Sequence, residues 1–457
     1  MPPGHICCVV RVVRGGCVLV SVASTHRVSG WGNTTPVRAR LVDDAELDLS
    51  SLGLRGAIPR GLGRAYGDAA QNSGGTVVRA TGETIDLDTA TGLVRVSAAV
   101  SIDELLRHVI PAGWFVPVSA GTRFVTIGGA IAADIHGKNH HRDGSFGDWV
   151  RSVRMLLASG DDVVVTPQSD PELFAATCGG MGLTGLIREA TVQLIPVSSS
   201  QMVVSTRRCN DLDAVMSTMV DAEDTNRYTV AWVDATVRGA SCGRGIVTFG
   251  DHADEASGAD PAAYRPRSPV RIPGPAVPLV NSVTGRMFSE LWFRRAPRAR
   301  DGETMSIPAY FHPLDGVDRW NRVWGRRGFV QHQFVVPLDA DDVVREALAT
   351  VAASRPANFL NVLKRFGPGS DRPLSFPMPG WTLTMDLPAT AEVASMLRRL
   401  DERVLAAGGR HYLAKDALVS PAAVSAGYPD LERFRSVRDR VDPNRVWRSD
   451  LSRRLGL

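Results

Sequence analysis

"TIGGAIAADIHGKNHHRDGSFGD", Thr126 to Asp148, sets three histidines and five glycines among few bulky side chains. Three readings of it are open. His136, His140 and His141 could ligate a metal with Asp134, Asp143 or Asp148, although no H-E-x-x-H or C-x-x-C accompanies them. The histidines could cap a glycine-rich turn. Or the stretch cradles a cofactor, because Gly128, Gly129 and Ala130 let a ligand approach the backbone and expose N–H groups to phosphate oxygens.

A second glycine-rich loop lies about 60 residues earlier. "RGLGRAYGDAAQN", Arg60 to Asn72, follows the short β-type run "GAIP" and carries Gly61, Gly63 and Gly67. Its spacing is not that of a dinucleotide-binding G-x-G-x-x-G, and no acidic residue ends a second strand about 20 residues on. Two such loops, each after a strand, suggest a diphosphate held between them.

The chain has 457 residues, for which two domains is the natural expectation. An apolar fraction of 44% and a charged fraction of 22% are those of a soluble globular protein. A net charge of +4 with no basic stripe of interleaved aromatics does not point to nucleic-acid binding, and none is expected. The six cysteines form neither a disulfide framework nor a zinc pattern. No apolar run reaches the roughly 18–20 residues of a membrane span. Arg11 and Arg14 interrupt the apolar N-terminal run, so it is not read as a signal peptide. Residues 1–27 are taken as a non-native or disordered extension, with the natural start near "THRVSGWG".

Short β-type runs and helices alternate over the first 195 or so residues. "SIDELLRHVIPAG" predicts a helix capped by Ser101 with Glu104 at the third position, and "DPELFAATCGG" a second one ended by glycine. From about 200 to 410, three amphipathic helices alternate with runs such as "YTVAWVDAT", "FVQHQFVVPL" and "GWTLTMDLP". That pattern describes a sheet covered on one face by helices, and the fold class is α+β. Six prolines in residues 252–278 mark a long, mobile surface loop.

"PRGLGRAYGDAAQN", "SAGTRFVTIGGAIAADIHGKNHHRDGSFGD" and "GGMGLTGLI" together resemble the FAD-binding half of the vanillyl-alcohol-oxidase type flavoproteins. "SELWFRR", "FHPLD", "FLNVLKRFGPG", "PLSFPMPGW", "GGRHYLAKDA" and "VDPNRVWRSD" extend the resemblance from about Gly30 to the C-terminus. Within that family they are similar to the flavin subunits of polyprenyl-phosphoryl-ribose epimerases. The resemblance implies a two-lobed FAD domain of the PCMH type over 28–198, and a substrate domain with an antiparallel sheet over 199–410. The segment 411–457 then returns to the FAD domain.

The implied reaction is hydride transfer to FAD from the 2-hydroxyl of ribofuranose carried on a polyprenyl phosphate. An NADH-dependent keto-reductase partner then completes the arabinose donor for wall arabinan, and a quinone-type acceptor reoxidises the flavin. By resemblance, Lys415, His136 and Tyr66 are the catalytic candidates. The cofactor positions are Arg60, Gly61, Leu62, Gly63, Arg64, Ala65, Tyr66, Gly67, Asp68, Gly121, Thr126, Ile127, Gly128, Gly129, Ala133, His136, Ile187 and Tyr412. Gln333, Lys364, Trp232, Phe311 and Thr384 are the substrate candidates, and no metal is expected.

No histidine lies between His26 and His108, so attachment of FAD through a histidine of the first glycine loop is impossible and non-covalent FAD is expected. Thr384 stands where many members carry a cysteine, which predicts insensitivity to thiol-directed nitroaromatic inhibitors. Phe311 replaces a frequent tyrosine. The linker before the first glycine loop and the strand after "QNSGG" are short for the family, which is expected to weaken cofactor binding. The composition of "RMFSELWFRRAPRAR" suits anionic headgroups, hence peripheral membrane contact. Expected locations are the cytoplasm or the plasma-membrane surface, its periplasmic face included. A sugar or alditol oxidase that uses oxygen, and a flavin-free scaffold subunit, stand as alternatives.

Overall fold

The computed structural model describes residues 9–13, 16–20, 25–256, 260–266, 270–271 and 278–457. The expectations for the N-terminal extension and for the proline-rich loop fall partly outside these residues. Thr25–Val28 is already a strand, antiparallel to Val37–Asp43.

Two larger sheets build the N-terminal part. In a four-stranded one the order is Thr25–Val28, Val37–Asp43, Thr76–Arg79, Ala57–Pro59, and the last three strands run parallel. A five-stranded antiparallel sheet orders 162–165, 150–156, 186–193, 93–97 and 85–88. The Ile102–Val109 helix starts as its sequence dictates: Glu104 N donates to Ser101 Oγ at 3.2 Å, and Ser101 N donates to Glu104 Oε2 at 2.7 Å. Its apolar stripe, Ile102, Leu105, Leu106 and Val109, is buried.

An eight-stranded sheet forms the second part, in the order 299–306, 201–209, 245–252, 228–233, 361–366, 380–388, 329–336, 410–411. Side chains alternate across it with period two. Ala231, Val233, Leu363, Leu383, Met385, Phe334 and Val336 point one way, into a core closed by the helices Leu212–Glu223, Asp341–Ser354 and Ala391–Ala406. This is the one-sided helix cover expected from the sequence. The opposite face carries Trp232, Val362, Lys364, Thr384, Asp386, Gln331 and Gln333, and it faces the glycine loops.

The last helices tie back to the first sheet. Arg454 pairs with Asp68, Asp450 accepts from Ser73 N, and Trp447 bridges Ala57. The short linker before the first glycine loop contains two 3-10 turns, Asp44–Glu46 and Leu49–Ser51.

Candidate active site

The two glycine loops meet. A Cβ on Gly61 would stand 2.3 Å from Thr126 Oγ1, so only glycine lets the backbones come this close. Thr126 caps the short Ile127–Ala132 helix by accepting from Gly129 N at 3.1 Å. Gly128 packs on Ala98, and a side chain at Gly121 would meet nothing within 4 Å. The space beside Gly61 and Gly128 is thus filled by protein neighbours, and Gly121 is the open one of the three. Arg64 lies 3.9 Å over the Trp31 ring, and its buried Nε has no partner. Glycine-lined backbone from two loops, with an unpartnered guanidinium nitrogen beside it, fits a flavin dinucleotide, whose diphosphate needs donors and whose rings need a narrow slot.

Other expected cofactor positions have protein partners. Arg60 donates to Ala70 O and Ser29 O, at 2.8 and 2.7 Å, bracing its loop beneath Gly63, which holds φ +68°. Asp68 is held by Arg454. Ala65 O accepts from Trp31 N, Ala133 O accepts from Tyr412 Oη, and Ile187 is buried in the strand 186–193. Leu62 is exposed.

Tyr66 N donates to Ala414 O at 3.0 Å, and Gly67 abuts Asp416 O, so the first loop grips the segment bearing Lys415. Lys415 Nζ lies 4.2 Å from the Tyr66 ring centre and donates to Gln331 Oε1. Gln331 Nε2 donates to Asp386 Oδ1 at 2.6 Å. Burial pulls the Lys415 ammonium down and pushes the Asp386 carboxyl up, against their mutual attraction. Burial also raises the Tyr66 phenol.

A second group adjoins the first along the strand Phe329–Val336. Gln333 Nε2 donates to His136 Nε2 at 3.0 Å and to Thr382 Oγ1 at 3.1 Å. Lys364 Nζ is 3.4 Å from His136 Nδ1. Phe366, Phe376 and Tyr412 box the imidazole, with ring centres 4.7, 5.8 and 5.4 Å away. Burial, then Lys364, holds His136 well below the ordinary histidine range, so it is neutral. Lys364 is drawn down to about 7 by burial and by Lys415. Lys138 is drawn to about 7 by burial and by Lys364; its Nζ donates to Tyr310 O.

The three histidines of the opening stretch diverge. His136 faces Gln333, His140 packs on Phe366 at 4.6 Å, and His141 lies 3.3 Å from Asn226 O. They share no common point at which a metal could sit. Arg372 fixes the stretch instead, with Nε on Asp134 Oδ2 at 3.0 Å and Nη1 on Asp148 Oδ1 at 2.9 Å. Asp134 also accepts from Ser145, Gly147 N and Ser375. Among the described residues, one close group of three ligating side chains exists, His332, Asp401 and His411, on the helix-covered side of the sheet.

Of the expected substrate residues, Gln333, Thr384, Lys364 and Trp232 share the site-facing side of the sheet. Phe311 lies beyond Lys138, whose Nζ is 5.7 Å from its ring centre. Its ring lies among Phe115, Tyr228 and His252, 5.2, 4.9 and 6.2 Å away, because it is a buried core side chain. Gln331, Asp386 and Lys138 were not singled out from the sequence. Gln331 is two residues before Gln333 and Asp386 two after Thr384, so strand alternation alone puts both on the same face.

The FAD binding domain profile matches residues 55–166, and that of D-arabinono-1,4-lactone oxidase matches 382–455. The chain is 39% identical over 453 residues to a decaprenylphosphoryl-β-D-ribose oxidase of Mycolicibacterium smegmatis, covering 95% of this chain and 98% of that one. It is 42% identical over 372 residues to an uncharacterized protein of Streptomyces coelicolor, 78% of this chain and all of that one. An alditol oxidase of a Streptomyces species is 24% identical over 368 residues, 79% of this chain and 80% of the other. With its two glycine loops and its lysine-bearing sheet face, the chain is an FAD-dependent oxidoreductase and belongs to the decaprenylphosphoryl-β-D-ribose oxidase family.

Proposed function

We propose that this chain oxidises the 2-hydroxyl of decaprenylphosphoryl-β-D-ribofuranose to the 2-keto compound. This is the first half of an epimerisation to the arabinose donor of cell-wall arabinan. The observation that carries the reading is that Lys364 stands 3.4 Å from His136 on the site-facing side of the sheet, with Lys415 on the neighbouring Gln331 of that side and Lys138 packed against Tyr310 near Lys364. A neutral polyol gives no reason to bury Lys138 and Lys364 close together beside the base Lys415, whereas a sugar phosphodiester does.

FAD, when bound, supplies the acceptor for the hydride leaving the carbinol carbon. Lys415 in its neutral form takes the hydroxyl proton at Nζ. Gln331, oriented by Asp386, holds that nitrogen in place. His136 and Gln333 bind the sugar oxygens, and Lys364 with Lys138 takes the phosphate. Arg60, Asp68 and Ala65 shape the FAD cradle through their protein contacts, Gly61, Gly63 and Gly128 let Thr126, Arg60 and Ala98 pack close against it, and Gly121 leaves its backbone open. The FAD is held non-covalently.

The keto product needs a hydride donor to become the epimer, which calls for an NADH-dependent keto-reductase partner. A quinone-type acceptor takes the electrons from the reduced flavin. Among the described residues no helix is long and apolar enough to cross a membrane. Because the substrate is a lipid, the enzyme works as a peripheral protein at the plasma membrane, on its cytoplasmic or periplasmic face.

The test is anaerobic mixing of the purified yellow protein with a short-chain polyprenyl-phosphoryl-ribose. Bleaching of the flavin's visible band is the expected result. Bleaching by soluble polyols alone, with peroxide release in air, would overturn the reading in favour of an alditol oxidase, and a colourless protein would overturn it in favour of a scaffold.

A further inference from the structure

The Ser282–Arg295 helix has two apolar sides. Gly285, Ser289 and Phe293 are buried, and Gly285 touches the backbone of Asn358. The other side has Val283, Met287 and Leu291 one turn apart, 63%, 68% and 67% exposed, flanked by exposed Phe288 and Trp292. A helix on the surface of a soluble protein turns polar residues to water. Arg286 and Arg295 stand exposed on the same helix with no ion pair among the described residues, and Arg294, three residues after Leu291, pairs with Glu290.

The face is continuous with the site. Phe288 lies edge-on to Phe359 at 5.4 Å, and Trp232 Nε1 donates to Phe359 O at 2.9 Å. From Trp232 one cross-strand row runs through Val362 and Thr384 to Gln333. Three inter-strand steps make this row about 14 Å long. Trp232, Val362 and Thr384 are half-exposed, while their strand neighbours on the helix side are buried.

We propose that the exposed side of the Ser282–Arg295 helix lies on an anionic lipid surface, and that the isoprenoid tail passes from that surface to the site along the Trp232–Val362–Thr384 row. Arginines beside exposed aliphatic and indole side chains are what a bilayer interface selects, with phosphate heads at the guanidinium groups and apolar side chains at the acyl boundary. The tail half of the proposal rests on the polyprenyl-phosphate reading of the substrate; the lipid-surface half does not.

The experiment uses the full-length, FAD-loaded protein and vesicles of phosphatidylglycerol mixed with phosphatidylcholine. Co-sedimentation is expected with the mixture and not with phosphatidylcholine alone, and it weakens as salt rises. The Met287→Glu/Leu291→Glu double variant loses vesicle affinity by about a hundredfold. Both positions are exposed, so the variant folds, and its flavin spectrum checks this. Its turnover of a soluble short-chain substrate is unchanged, whereas turnover of long-chain substrate in vesicles falls about tenfold or more. Equal vesicle binding by wild type and variant overturns the proposal. So does a change in the variant's sedimentation coefficient without a change in vesicle binding, which would mean that the face docks protein. Failure of the wild type to bleach with any phosphoryl-ribose would sink the substrate reading and the tail path, and the vesicle result would still decide the lipid surface.

Discussion

Gln331 donates to Asp386 at 2.6 Å, and its carbonyl oxygen is thereby turned toward Lys415. A glutamine amide can present only one end to each partner, so the carboxylate fixes which end the lysine meets. Replacing Lys415 with alanine should lower kcat by about 10²–10⁴-fold, the range for loss of a proton-transfer group. Gln331→Leu leaves the ammonium in place but unheld, and the expected loss is about tenfold in kcat with little change in KM. Steady-state kinetics with an artificial electron acceptor separates the two constants. A Gln331→Leu effect confined to KM would mean that the glutamine binds substrate and does not position the lysine.

Lys138 and Lys364 both lose their protons near pH 7, because burial disfavours the charged amine. Phosphate binding needs them charged. The logarithm of kcat/KM for the phosphorylated substrate should therefore rise with pH on the acid side, as Lys415, drawn down to about 8, becomes neutral, and fall above about 7 as Lys138 and Lys364 lose their charge. His136 is held neutral and contributes no limb in the ordinary histidine range. In Lys364→Gln, KM rises by about tenfold, as for a lost charge-assisted contact, and the alkaline fall becomes shallower. An unchanged pH profile in this variant would remove Lys364 from phosphate recognition.

The lysine titrations also bear on stability, with the opposite pH trend. Lys138 and Lys364 have folded-state pKa values below the unfolded one, so between about 7 and the unfolded lysine range the unfolded chain binds more protons. Their contribution to stability should grow as pH rises through that window and be flat below it. Chemical denaturation of the substrate-free protein at pH 7 and pH 9, compared between wild type and a Lys138→Met/Lys364→Met variant, should show the variant gaining less from the higher pH.

Arg372 is the counter-ion of Asp134, which is fully buried and accepts from four groups of the stretch 134–148 and its neighbours. Arg372→Ala strands that carboxylate, and removing one partner of a buried pair costs about 3–5 kcal/mol. The melting temperature should fall by several degrees and FAD should dissociate more readily. Thermal unfolding followed by flavin fluorescence reads both. An unaltered melting temperature would show that water reaches Asp134.

Thr384 is half-exposed on the site-facing side, paired across the sheet with Gln333. Its hydroxyl is not a thiolate-type nucleophile. A thiol-directed nitroaromatic compound should leave no covalent adduct on the wild type and form a stoichiometric one on Thr384→Cys, each detected by intact mass. An adduct on the wild type would require another nucleophile, and Cys178, Cys209 and Cys242 are its free thiols among the described residues.

The two glycine loops, the capped helix at Ser101 and the helix-covered sheet could all be read from residue order, because each depends on local chemistry: backbone freedom, an N-cap and a hydrophobic period. The relay Gln331–Asp386 could not be read from a motif, since its residues come from strands 55 positions apart. Alternation nevertheless placed both on one face with Gln333 and Thr384. Phe311, matched by resemblance to a substrate contact, packs on Phe115 and Tyr228 and also borders Lys138, an arrangement that no motif announces because these side chains come from distant segments. Composition alone suggested a basic and aromatic stretch at 286–300, but which side chains are exposed depends on the helix that carries them.

The pairing of Arg454 with Asp68 joins residues 386 positions apart. A ribosome thus releases the first glycine loop long before the guanidinium that clamps it has been made. The contact is of very high sequence separation, so the loop is assembled late in folding. Flavin added during synthesis finds an open loop, and stable loading follows chain completion.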